Sequence, residues 1–289
     1  SVNAPLATSV GQSSYQFCSS LITVNMSAAA IVGGYAFHNC SSLMSVHAPL
    51  VTSIGEAGFA HCTALASVNM TAVTSLGASA FKSCASLTSV QMPLATSILD
   101  FTFQYCSNLV SVDLALATSV GRQSFDQCAS LPSITLPLVT SVGYASFDGC
   151  FGLISVDMPS VIVVEHYAFR SSALARVDMP LVTSLGSESF RLCASLSSAH
   201  MPLLTIIGAS SFEACANLME VNMSRVASVG DKSFKQCSSL TSVDMPLVTS
   251  IAGSVFALCS SLVSVRMPLV TSVGNYAFPH CSSLASVNM

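Results

Sequence analysis

CSSLTSVDMPLVTSI, residues 237–251, carries the reading of the whole chain. Leu240, Val243 and Met245 alternate with small polar residues, so a strand here turns Val243 and Met245 inward and Asp244 outward. Pro246 lacks an N–H and ends that strand. Leu247 to Ile251 form a second short extended stretch rich in β-branched residues. The same phrase returns as CASLTSVQMPLATS at 84–97 and begins again as CSSLASVNM at 281–289.

The cysteines set its period. Cys18, Cys40, Cys62, Cys84, Cys106, Cys128 and Cys150 stand 22 residues apart, as do Cys193, Cys215, Cys237, Cys259 and Cys281. The gap of 43 between Cys150 and Cys193 holds an eighth repeat that has Ser172 in the Cys place and lacks one residue. Thirteen repeats follow one another without a linker, which signals a solenoid. A Gly-led turn and about one turn of helix are expected ahead of each Cys, carrying Phe in twelve repeats and Tyr15 in the first. One repeat cannot bury its Phe, Leu, Val and Met alone. Stacking in register makes these columns continuous, at roughly 1.5–3 kcal/mol per large side chain removed from water.

Composition agrees with such a β-rich, soluble chain. Hydrophobic residues make up 52% and charged residues 8%, yet no run reaches the ~18 apolar residues of a membrane helix. A net charge of −4 gives no basic footprint for nucleic acid.

VGNYAFPHCSSLASVNM (273–289) resembles the BspA-like leucine-rich repeats, with Gly, Ala-Phe, Cys, Leu and Val in that family's order. The 22-residue repeat and its Met column depart from the commoner pattern. The resemblance implies an α/β repeat solenoid, a right-handed leucine-rich-repeat superhelix with a parallel sheet on one face. Residues 1–289 are expected to form a single such domain, uncapped at both ends and part of a longer chain. It also implies a cell-surface or secreted setting, with adhesion and protein binding as the work.

Catalysis finds no support. The abundant serines form no Ser-His-Asp or Cys-His constellation, and His47 and His200 lie about seven repeats apart in the outward strand column. One Cys every 22 residues is neither a zinc spacing nor a disulfide framework, since side chains on stacked rungs stay about 4.8 Å apart. The expectation is a ladder of buried, reduced thiols, with no cofactor and no metal. Asp157 and Asp178 are neighbours across one rung, but two carboxylates without loop oxygens do not make a calcium site. The threonine column (Thr52, Thr74, Thr96 and their equivalents) could order water, although the Ser beside each Thr is expected to face away.

Contacts are expected on the outward faces. The position two after each Leu is Ser in ten repeats; the position four after is polar and mixed. The eighth repeat, SVIVVEHYAFRSSALARVDM (160–179), gathers charge where it departs from the pattern. Glu165, His166, Arg170, Arg176 and Asp178, with Asp157, His200 and Glu220, are the candidate partner-binding residues. Asn25, Asn69 and Asn222 are possible N-glycosylation sites, and Asn39 is a weaker one beside a core Cys. Two functions fit: a non-catalytic protein that binds other proteins through an extended face, or a structural subunit of an extracellular fibre, sheath or coat that self-associates.

Overall fold

The repeating rung follows a three-sided path: a strand of two or three residues, a second strand of two residues (reduced to a single bridge between Ile98 and Val120), and a closing turn. The computed structural model describes residues 1–289, which divide into two compact units. The first comprises Ser1–Val139 with Gly149–Leu153, and the second Thr140–Asp148 with Ile154–Met289.

In the first unit the strands Val2–Asn3, Thr23–Asn25 and Ser45–His47 pair in parallel, with Val2, Val24 and Val46 in register. Ser67–Asn69, Ser89–Gln91 and Ser111–Asp113 form a second such ladder. The short strands Ser9–Val10, Ile31–Val32, Ser53–Ile54 and Ser75–Leu76 build a parallel ladder of their own. In the second unit, Arg176–Asp178, Ser198–His200 and Glu220–Val221 form one ladder, and Ser242–Asp244, Ser264–Arg266 and Ser286–Asn288 another. Its short strands pair continuously from Ser141–Val142 through Val163–Val164, Ser184–Leu185 and Ile206–Ile207 to Ser228–Val229.

The core follows the columns read from sequence. Val243 and Met245 are buried and Asp244 is exposed. Every Phe of the column from Phe37 to Phe256 is fully buried. In the first unit the rings from Tyr15 to Phe125 stack with centroids 5.2–5.6 Å apart. In the second, Phe147 to Phe278 stack at 5.2–5.7 Å. Nearly parallel rings at this spacing are the offset-stacked arrangement that aromatic quadrupoles favour.

The expected helical turn is absent: the structure contains no helix. Around Phe81, the N–H groups of Ser79, Phe81 and Ser83 donate to the carbonyls of Asp100, Thr102 and Gln104 on the next rung, at 2.9, 2.9 and 2.7 Å. The alternate N–H groups of Ala80, Lys82 and Cys84 close four-residue turns onto the carbonyls of Gly77, Ser79 and Phe81. A helix would spend every N–H inside its own rung, whereas this turn gives half of them to its neighbour. The alternation requires left-handed residues two before and two after each aromatic. All thirteen rungs have them, and 25 of these residues are not glycine. Close approach between rungs is what calls for glycine elsewhere, as at Gly208, where a Cβ would stand 2.6 Å from the Gly186 carbonyl carbon and Ser187 N.

The shortened eighth rung leaves the short-strand ladder intact, Val163–Val164 pairing on both sides. The three-residue strands behave otherwise: Ser155–Asp157 and Arg176–Asp178 belong to different ladders. The ladder therefore runs unbroken past this rung on one side of the path only. A similar break separates Ser45–His47 from Ser67–Asn69, where no residue is missing, so the lost residue is not its general cause.

Candidate functional site

On the three-residue strands the residue before the buried Val and the residue after it point outward. In the second unit the first of these columns reads Ser155, Arg176, Ser198, Glu220, Ser242, Ser264, Ser286. Its two departures from Ser flank one serine. Register places Arg176 beside Ser198 and Ser198 beside Glu220, with Asp178 beside His200 in the parallel column. These side chains, with Asn222, line a shallow cleft of about 340 Å³. Arg176, Asp178, His200 and Glu220 are all exposed. Ser224 donates to Asn222 Oδ1 from its backbone N (3.3 Å) and its hydroxyl (3.1 Å), which leaves the Asn222 amide N–H groups free to face the cleft.

Four of the expected contact residues are thus brought together, and the others are not. Asp157 is exposed on the strand beyond the ladder break. Glu165 and His166 lie by the short strands, lining a separate concavity of about 550 Å³ with Val163, Ser184 and Ile206. There the Ser187 N–H donates to His166 Nδ1 at 2.9 Å.

Arg170 belongs to a third side, an ion-pair chain along the turns that sequence reading missed. Its Nε and Nη2 make a two-pronged contact with Asp148 at 3.0 and 2.6 Å, and its Nη1 lies 3.7 Å from Glu188. Glu188 also holds Arg191 at 2.9 Å, Arg191 reaches Glu213 at 3.4 Å, and Lys235 closes on Glu213 at 3.0 Å. Acids and bases alternate along it, so each charge offsets its neighbours. The signal was present in the residue after each Phe: Asp148, Arg170, Arg191, Glu213, Lys235.

The thiols have a structural task. Each Cys from Cys40 to Cys281 donates its Sγ–H to the carbonyl of the preceding rung's aromatic residue, as Cys62 does to Phe37 at 3.1 Å and Cys193 to Phe169 at 3.1 Å. All twelve are free; ten are buried, Cys281 is half-buried and Cys18 is exposed. Threonine hydroxyls likewise bond backward, Thr74 to the Thr52 carbonyl at 3.3 Å and Thr205 to that of Thr183 at 2.9 Å. The serines beside these threonines are not turned into the core: Ser75 and Ser250 are exposed, and Ser53 and Ser141 half-buried.

Asn69 and Asn222 are exposed, whereas Asn25 is half-buried with its Nδ2 donating to Asn3 Oδ1 at 3.0 Å. Access for a glycan therefore favours Asn69 and Asn222. Two histidines outside the strand columns do meet: the His38 and His61 rings contact edge to face at 5.3 Å.

Comparison with known proteins agrees with this architecture. Residues 8–116, 96–218 and 162–285 match the model of the BspA type leucine rich repeat region. A leucine-rich repeat protein from Bacteroides ovatus superposes with a TM-score of 0.77 at 26% identity, over 97% of this chain and 82% of that one. A leucine rich cell surface protein from Faecalibacterium prausnitzii gives a TM-score of 0.47 at 23% identity, over 92% of this chain and 86% of that one. No curated protein sequence matches. With matches that together run from residue 8 to residue 285, the chain belongs to the BspA-type leucine-rich-repeat family.

Proposed function

We propose that this chain is a non-catalytic cell-surface or secreted protein that recognises other proteins through the outward face of its three-residue strands. The observation that carries the reading is the cluster Arg176, Asp178, His200 and Glu220, which gathers polar and charged groups on three adjacent strands, whereas Asp113 and Asp157 stand singly on such strands and Asp244 and Arg266 pair with each other. A hydroxyl-rich surface offers few strong anchors, so a positioned set of charges is what gives it specificity. Surface setting and adhesive role are what the family membership supports.

The test is binding of the purified chain to intact cells bearing protease-sensitive surface proteins. Asp178→Ala with His200→Ala is expected to abolish protease-sensitive binding, while Lys232→Gln, on the exposed turn side, keeps it. Equal binding by both variants defeats the proposal.

A second reading, a subunit of an extracellular fibre or coat, draws on a different feature. The residue after the Pro position is an exposed leucine in rung after rung: Leu50, Leu94, Leu116 and Leu138 in the first unit, and Leu181, Leu247 and Leu269 in the second. A repeated apolar edge suits lateral association of identical rungs. Long filaments seen by electron microscopy of native material would favour it over recognition.

A further inference from the structure

We infer that the ladder Arg176–Asp178, Ser198–His200, Glu220–Val221 is a self-complementary face that pairs with the same face of a second copy of this chain. The inference rests on the reading of this face as an interaction surface and names its occupant.

The argument is one of symmetry. Arg176 and Glu220 occupy the same outward column, one rung to either side of Ser198. Consider two copies facing each other about a two-fold axis parallel to the strand Ser198–His200. That axis exchanges the outer two rungs and keeps position along each strand. Arg176 of either copy then faces Glu220 of the other, so the ion pair forms twice. This is the exchange an isologous interface requires, in which residue i meets j and j meets i.

The second outward column obeys the same rule. Asp178 and Asn222 also stand one rung to either side of the axis, and exchange sets the carboxylate of one against the amide of the other. Ser224 already occupies Asn222 Oδ1, so the free N–H groups are the ones presented to Asp178. His200 and Ser198 lie on the axis and meet their own counterparts. At the ~10 Å separation of packed sheets, an Arg and a Glu reaching from opposite sides span the gap.

Two structural facts confine the contact to these strands. The ladder is interrupted on both sides, before Arg176–Asp178 and after Glu220–Val221. One rung further out, Asp157 would face Asp244, but Arg266 already holds the Asp244 carboxylate at 3.1 Å. Three strands bury less than the ~800 Å² per partner of a standard interface, so the association is weak and salt-sensitive.

Analytical ultracentrifugation of the full chain from about 10 μM to about 1 mM, at low and high salt, tests this. The expected result is a monomer–dimer equilibrium that weakens with salt. Arg176→Glu and Glu220→Arg should each weaken dimerisation by more than about tenfold, because like charges then meet twice. Mixing the two variants, or combining both changes in one chain, should restore it. A monomer at every concentration overturns the inference, as does a dimer indifferent to both changes. Rescue of Arg176→Glu by Asp178→Arg instead of Glu220→Arg overturns the axis proposed. A chain that stays monomeric yet binds cells through Asp178 and His200 defeats self-pairing alone and leaves the recognition function standing.

Discussion

Arg170 and Asp148 meet through two parallel contacts, Nε to Oδ1 at 3.0 Å and Nη2 to Oδ2 at 2.6 Å, while the guanidinium lies 4.8 Å over the Tyr167 ring. Sequence alone grouped Arg170 with Arg176 as candidate partner-binding residues. The structure separates them. Arg170→Glu would set three acids together, with Asp148 and Glu188, on side chains only part exposed. A loss of about 1–3 kcal/mol is expected, below the cost of breaking a fully buried pair because solvent screens this one. Arg176→Glu, on an open sheet face, should stay within about 0.5 kcal/mol. Urea unfolding of the two variants decides it, and equal midpoints would contradict the ion-pair chain.

Phe147 is fully buried and stacks on Phe169 at 5.2 Å with the ring planes 3° apart. Phe147→Ala should leave a cavity costing about 3–5 kcal/mol, blunted by whatever collapse the neighbouring rungs allow. Thermal melting checks it; an unchanged curve would mean the aromatic column is not the core.

The cysteines should divide by position. Burial pushes the thiols of Cys40 and Cys193 up to about 11 and that of Cys106 up to about 12, so none is a nucleophile near neutrality. A native chain treated with a thiol reagent at pH 8 should label rapidly at exposed Cys18, slowly at Cys281, and not at the ten buried sites. Denaturation should release all twelve. Rapid native labelling of Cys106 or Cys193 would show that the ladder is open.

Much of this was legible because a strict period turns sequence into columns. Leu, Val, Met and Phe recur at fixed offsets, and stacking leaves them one place to go. The turn was not legible for a local reason. Gly-x-x-x-Phe-x-x-Cys spaces its residues like a helix, while the left-handed positions are filled by Ser83, Gln127, Leu192 or Lys232, residues that give no sign of positive φ. The Cys-to-Phe carbonyl bonds depend on rung-to-rung geometry that no single repeat contains. Of the contact cluster, Arg176, Asp178, His200 and Glu220 could be named from sequence. Which of the eight candidates share a face could not, because strand, short strand and turn point in three directions.

His38 and His61 should make the first unit acid-sensitive. Burial lowers both imidazoles from the usual 6.5, and the neighbouring charge adds to it: His61 acts on His38 and Lys82 on His61. A base whose folded pKa is depressed gives its full stability above the unfolded value. As pH falls below about 6.5 the unfolded chain takes protons that the folded chain refuses, so stability declines until the folded pKa is passed. His38→Gln with His61→Gln should flatten this decline below about pH 6.5. An unchanged slope would mean that the pair does not govern acid stability.

The left-handed turn makes an unusual demand that glycine can relieve. Ala214 sits at φ 62° while its N–H donates to the Lys235 carbonyl at 2.8 Å. An L-residue in this region costs about 1–2 kcal/mol, more than the ~0.5–1 kcal/mol of extra chain entropy that glycine loses on folding. Ala214→Gly should therefore stabilise the chain by up to about 1 kcal/mol, against the usual sign for such a change. Ala227→Gly, exposed and at an ordinary φ, should cost about 0.5–1 kcal/mol. Gly149→Ala runs the comparison backwards: at φ 67° its new Cβ would also stand 2.7 Å from Gln127 Cδ. Denaturant midpoints for the three variants form one experiment. If Ala214→Gly destabilises as much as Ala227→Gly, the closing turn is not built on left-handed residues, and the inter-rung bonds assigned to it fall as well.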